Sequence, residues 1–208
     1  MTSTIKAIPD IVIGRLPLYL RALAYMIEEN REFVSSQELG DRLGISSVQI
    51  RKDLSYFGEF GKQGTGYEIQ FLRQQLRQIL HADKVWEIAL VGAGDLGHAL
   101  IRYEEFCEKG FCIAVVFDRD PQKIGRKMGG FEVFDAESIP TIVKERGIKV
   151  AIIAVPASEA QAVSDILVKA GVRAILNYAP ITLSVPPKVQ VQYINPIIQL
   201  QHMAYYLD

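Results

Sequence analysis

The stretch Val91-Gly92-Ala93-Gly94-Asp95-Leu96-Gly97-His98-Ala99-Leu100, VGAGDLGHAL, decides how this chain is read. The apolar run Trp86 to Val91 before it predicts a strand, and Leu100, Ile101 and Phe106 after it continue at helical spacing. A strand that passes through Gly-x-Gly-x-x-Gly into a helix has the order a pyrophosphate cradle needs. Gly92 makes the turn, Gly94 lets a phosphate approach the backbone, and Gly97 lets the helix pack on the strand. Residues Gly92, Ala93, Gly94, Asp95, Leu96 and Gly97 are therefore candidate cofactor contacts. Asp95 is the odd member. At a helix N-terminus a carboxylate is stabilised by the dipole and can cap free N–H groups, but turned inward it would repel a pyrophosphate.

Working outward, the next strand, Ile113 to Phe117, ends in Asp118, 21 residues beyond Gly97. A carboxylate there accepts ribose hydroxyls of NAD and disfavours the 2′-phosphate of NADP. A helix over Ala136 to Arg146, a strand Val150 to Val155, a helix Ser158 to Ala170 and a strand Ala174 to Tyr178 then alternate. Such repetition predicts a Rossmann-type doubly wound parallel sheet, with Val155 and Pro156 at the carboxyl edge where an open sheet receives its ligand. The tail, Ile197 to Tyr206, is an apolar helix without a place in that sheet, of the kind that packs on a partner subunit.

The grammar before about Ala82 is different. Leu16, Leu20, Leu23 and Ile27 give one helical apolar face. Ser35-Ser36-Gln37-Glu38 and Ser46-Ser47-Val48-Gln49 both have capping-box form, separated by a stop at Gly44. Two short helices behind a longer one outline a helix-turn-helix. On the third helix Ile50, Leu54 and Phe57 share the core side, while Lys52 and Ser55 fall opposite, flanked by Gln49 and Arg51. Cations, an amide and a hydroxyl suit phosphates and base edges, so Ser46, Ser47, Gln49, Arg51, Lys52 and Ser55 are candidate DNA contacts. The glycine-rich run Gly58 to Gly66, followed by alternating Tyr67, Ile69 and Phe71, predicts a hairpin wing with Lys62 and Gln63 at its tip. Two domains are expected, a winged helix over 1–82 and a dinucleotide-binding and dimerisation domain over 83–208.

Composition sets the outer bounds. The chain has 208 residues, 49% of them hydrophobic and 23% charged, with a net charge of −1, so any DNA contact must come from a local patch. No apolar run approaches the roughly 18 residues of a membrane span, and no secretory leader is legible, which predicts a cytoplasmic protein. Cys107 and Cys112 lack metal-site spacing and are read as reduced packing residues, and His81, His98 and His202 are scattered, so no metal is expected. No Tyr-x-x-x-Lys pair supplies an acid/base for hydride transfer, and about 120 residues of nucleotide half leave little chain for a substrate domain. A regulator is favoured over an enzyme. The alternatives are a small NAD-dependent dehydrogenase with an N-terminal extension, or a sensor of another nucleotide or CoA.

The chain resembles, over nearly its whole length, the Rex family of redox-sensing transcriptional repressors. The resemblance rests on QIRKDLSYFGEFG (Gln49 to Gly61), GTGYEI (Gly64 to Ile69), LVGAGDLG (Leu90 to Gly97), FDRDPQKIG (Phe117 to Gly125) and ILNYAP (Ile175 to Pro180). It implies a homodimer that binds an inverted-repeat operator and releases it when NADH binds, with NAD⁺ as a competitor that does not cause release. It also implies that the last helix is swapped onto the partner, that Tyr103 lies near the nicotinamide, and that Arg21 links the two halves. Two positions depart from the family's pattern. Asn195 stands where an aspartate partner of Arg21 and Tyr103 is usual, and Gln63 stands where the wing commonly has arginine.

Overall fold

The chain divides into two compact units between Lys84 and Val85 in the computed structural model, which describes residues 8–62 and 64–207. The first begins with α1 (Asp10–Glu28), whose side chains Leu16, Tyr19, Leu23 and Met26 are fully buried. Leu20 and Ile27, from the expected apolar face, lie half-buried at its border. After β1 (Phe33–Val34) comes α2 (Ser36–Leu43), capped as its sequence predicts. The Ser35 hydroxyl accepts from Glu38 N, the Glu38 carboxylate accepts from Ser35 N, and Gly44 ends the helix at φ 66°. Those bonds, led by the one from Ser35 N, and Arg31 beside it pull the Glu38 carboxyl down to about 2.

The third helix, α3 (Ser47–Ser55), follows at once and buries Ile50 and Leu54. A hairpin of β2 (Gly61–Lys62) and β3 (Gly66–Glu68) closes onto β1 in the order β1-β3-β2. Here the structure corrects the expected long strand. Only Tyr67 belongs to β3, because Ile69 opens α4 (Ile69–Ile79), in which Ile69, Leu72 and Leu76 are buried at helical spacing and Phe71 faces outward. Gln63 lies outside the described residues.

The second unit is built on β4 (Trp86–Val91), with α5 (Asp95–Ile101), α6 (Glu105–Glu108), β5 (Phe111–Asp118), β6 (Lys127–Met128), β7 (Phe131–Asp135) and α7 (Ile139–Glu145) on one run. The chain continues through β8 (Val150–Ile153), α8 (Ala157–Ala170), β9 (Ala174–Asn177), β10 (Gln190–Tyr193) and α9 (Pro196–Ala204). The sheet order is β10-β9-β8-β4-β5-β7-β6, parallel except for the β6–β7 pair. Ignoring β6, this is the doubly wound 3-2-1-4-5-6 order. Successive residues of β4 fill opposite faces: Ile88 and Leu90 join one apolar cluster, Ala89 and Val91 the other.

Two further expectations are corrected. The helix after Gly97 is two helices, interrupted at Arg102. Cys107 and Cys112 are joined by a disulfide rather than reduced, because the turn at Gly110 (φ 90°) returns the chain from α6 into β5 and leaves their Cα atoms 4.3 Å apart. Among the described residues no helix is long and apolar enough to cross a membrane.

Candidate DNA-binding face and dinucleotide cleft

In the first unit, α3 and the hairpin flank a groove of about 550 Å³. Arg51, Ser55 and Lys62 line it, together with Ser36, which sequence reasoning passed over. Arg51 Nη1 donates to Ser36 Oγ at 2.8 Å, so the first turn of α2 holds the guanidinium at the groove wall. Lys52 and Ser46 are exposed, Ser47 is half-buried, and the Ser55 hydroxyl donates to Lys52 O at 2.8 Å, leaving its lone pairs free to accept. Ser46 Oγ caps α3 by accepting from Gln49 N at 3.2 Å.

The expected capping box is only half made. The Gln49 side chain turns away from Ser46 and donates from Nε2 to Asp53 Oδ1 at 2.7 Å. Asp53 is completely buried and also accepts from Arg15 Nε (2.6 Å), Arg15 Nη2 (2.8 Å) and Tyr19 Oη (2.6 Å). Burial by itself would raise the Asp53 carboxyl, but the bonds from Arg15, Tyr19 and Gln49 outweigh it and hold the group below its ordinary value. Asp53 was legible: at 100° per residue it lies about 60° from Ile50, on the core side of the helix.

The second unit's cleft lies at the switch point of its sheet. Val91 pairs with Phe117 on one side and with Ile153 on the other, so Gly92, Asp118 and Ala154 emerge along one carboxyl edge. The cleft there, about 1010 Å³, gathers Gly92, Gly94, Asp95, Leu96, Asp118, Val155 and Pro156. A Cβ on Gly92, at φ 110°, would overlap Ala154 O, and one on Gly97 would overlap Gly92 O, whereas Gly94 faces open space. Two glycines thus allow the strands and helix to close up, and the third leaves room for a ligand, as a pyrophosphate cradle requires.

Asp118 is nearly buried, and three donors already reach it. Oδ2 accepts from Ala93 N (2.7 Å) and Lys123 Nζ (3.2 Å), and Oδ1 from Asp120 N (2.8 Å). Burial pushes its carboxyl up, yet the bonds from Asp120, Ala93 and Lys123 prevail and hold it below its ordinary value. A carboxylate offers about four acceptor positions, so a ribose diol needs the remaining one and the exposed Lys123 ammonium to swing aside. Ala93 contributes through its backbone, and Gly97 through packing, rather than by lining the cleft. Arg119, paired with Glu159 at 2.7 Å, joins the lining and was missed in the sequence, where nothing marks an ion pair between residues so far apart.

The three switch candidates have these surroundings. Arg21 is exposed on α1. Tyr103 lies outside the cleft lining, donates to Glu105 and stacks edge-on against Phe106, with ring centroids 5.1 Å apart. Asn195 caps α9 by accepting from Ile197 N at 3.1 Å. No residue of α9 is buried: Ile197, Ile198, Leu200 and Met203 are all more than half exposed. Among the described residues no cluster of His, Cys, Asp and Glu is arranged to hold a metal ion.

Comparison with known proteins agrees with this arrangement. Residues 7–55 match the family model described as "Putative DNA-binding protein N-terminus", and residues 83–181 match "CoA binding domain". The redox-sensing transcriptional repressor Rex of Chloroflexus aurantiacus is 55% identical over 96% of this chain and 94% of its own. That of Syntrophobacter fumaroxidans is 41% identical over 97% and 96%. Among solved structures, the Rex-family repressor RSP in complex with NAD⁺ and operator DNA superposes with a TM-score of 0.92 at 36% identity, covering 97% of this chain and 93% of that one. RSP with NADH gives 0.88 at 34% identity, covering 97% and 95%. The chain belongs to the Rex family of redox-sensing transcriptional repressors.

Proposed function

We propose that this repressor binds operator DNA through its 1–82 winged-helix unit and releases it when NADH enters the cleft of its 83–208 unit, with NAD⁺ competing for the same cleft. The observation that carries the reading is the pairing, in one chain, of a cationic helix-and-hairpin face with a glycine cradle whose outer acceptor is Asp118. Arg51, Lys52 and Lys62 neutralise phosphates, while Gln49, Ser46, Ser47 and Ser55 reach base edges or sugar-phosphate oxygens, and Gln63 extends the wing. Gly92 to Gly97 receive the pyrophosphate, Asp118 the adenosine ribose, and Val155 and Pro156 the edge of the cleft toward the nicotinamide.

The protein works as a cytoplasmic homodimer on an inverted repeat. The exposed apolar side chains of α9 support this, since a contiguous exposed apolar patch marks a surface that contacts a partner. Swapped onto the partner, α9 would bring Asn195 to its neighbour's Arg21 and Tyr103. NADH supplies a neutral dihydronicotinamide where NAD⁺ is cationic, and a pocket partly closed by apolar groups favours the neutral form.

The match to a CoA-binding family model makes CoA the competitor to exclude. Fluorescence titration with NADH, NADPH and CoA, beside an operator gel shift of Arg51→Ala, tests the reading. NADH is expected to bind best, and Arg51→Ala to lose operator binding with NADH affinity unchanged. Preference for CoA, or normal DNA binding by Arg51→Ala, would contradict it.

A further inference from the structure

Two Ser-x-x-Glu/Gln sequences cap adjacent helices, yet they behave differently. Glu38 reaches back to the N-terminus of α2, whereas Gln49 is drawn one turn forward by Asp53. The difference lies in what the side chain meets. Asp53 is a fully buried carboxylate on α3, and α1 delivers to it the guanidinium of Arg15 and the hydroxyl of Tyr19, one turn apart on the same helix. With Arg15 occupying one edge of the carboxylate and Tyr19 adding a second bond to Oδ2, the lone pair left on Oδ1 takes the Gln49 amide.

A carboxylate only accepts hydrogen bonds, so the end of the Gln49 side chain that faces it must be the nitrogen. The two ends of a glutamine amide look alike in shape and differ only in hydrogen bonding. Here the chemistry of Asp53 chooses between them, leaving Gln49 Oε1 on the side away from the carboxylate. Gln49 stands at the third position of α3, where a recognition helix meets base edges.

We propose that Asp53, held by Arg15 and Tyr19, is a positioning residue that fixes the Gln49 amide with Oε1 toward the major groove, so that Gln49 reads the exocyclic amino group of one adenine or cytosine in each half-site. The inference rests on α3 being the recognition helix. It adds a specificity device to that reading: α1 sets not only where α3 sits but which hydrogen-bonding end of Gln49 the DNA meets. Adenine N6 and cytosine N4 are the amino groups a major groove offers, and guanine and thymine present acceptors at the corresponding place.

The test is selection from a randomised duplex library with the full-length parent protein, followed by binding titrations of the selected duplex and its single-base-pair variants. Gln49→Met keeps the length of the side chain and leaves the Arg15–Asp53–Tyr19 cluster intact. It is expected to lose about tenfold of discrimination at one base pair per half-site and to leave the others alone, in line with the worth of a good base contact. Asp53→Asn is expected to relax the same base pair, because an asparagine can turn its own nitrogen toward Gln49 and let the amide reverse. Should Asp53→Asn fail to fold by thermal melting, the double variant Asp53→Asn with Arg15→Met, which removes the guanidinium left without its carboxylate, is expected to relax that base pair in the same way.

An unchanged base profile in Gln49→Met overturns the proposal. So does a folded Asp53→Asn, or its substitute with Arg15→Met, that keeps the parent profile or weakens all sequences equally. Arg51→Ala separates this failure from failure of the recognition-helix reading: if it still binds the selected duplex as the parent does, α3 is not the reading helix at all.

Discussion

Asp118 and Asp95 are two carboxylates beside one cradle, and their surroundings assign them opposite effects. Asp118 is pinned by Ala93 N, Asp120 N and Lys123, stays ionised, and holds the glycine loop against the end of β5. Asp118→Ala should therefore weaken NADH by roughly tenfold or more, the worth of a hydrogen bond to a charged group, and narrow its preference over NADPH. Parallel fluorescence titrations check this. Asp95 is exposed and lines the cleft, so in the proposed pyrophosphate site its charge would oppose the ligand. Asp95→Asn is expected to tighten NADH binding about threefold at low salt, with the gain shrinking as salt rises, since the site is open to screening. Equal affinities at low salt would show that the carboxylate turns away.

At the scale of elements, α3 is fixed to α1 by the buried Asp53 cluster. Since Asp53 is held below its unfolded value of about 3.9, the cluster contributes stability that is complete above that pH and is lost as pH falls through the lower folded value. Thermal melts should stay flat from neutrality down to about pH 5 and drop only in stronger acid. Asp53→Ala, which strands Arg15 and Tyr19, should cost about 3 kcal/mol at neutral pH. This is also where legibility in the sequence can be judged. Capping residues and the glycine order announced α2, α3, β4 and α5, because those signals are local. The stretch Tyr67 to Phe71 misled because alternation over five residues also fits the start of a helix, and only the burial of Leu72 and Leu76 settles it. Strands β7 and β10 are short, with one buried residue in β7 and none in β10, so their alternation is faint. The disulfide and the Arg119–Glu159 pair depend on where chain turns return, and spacing does not encode that.

For the molecule as a whole, the sequence declared both halves and their order, but left open how a ligand in one could govern the other. The exposed apolar side of α9 belongs to this scale. Leu200→Glu puts a charge on that side, and if the proposed dimer forms through α9, sedimentation should show the parent as a dimer and the variant as a monomer. Asn195→Asp preserves the cap on α9, since aspartate caps as well as asparagine, and adds the charge that an arginine partner would prefer. Release of DNA by NADH should become steeper in that variant with no change in melting temperature, and an identical dose-response would remove residue 195 from the switch. Coupling of this kind requires that NADH bind the DNA-free form more tightly than the DNA-bound form, since a ligand with equal affinity for both shifts nothing. The most direct measurement is an operator-binding titration of the parent protein run in parallel with NADH, with NAD⁺ and with neither. Operator affinity is predicted to fall at least tenfold with NADH and to hold with NAD⁺, by the linkage that a differential ligand imposes; equal operator affinity in all three titrations would contradict the account.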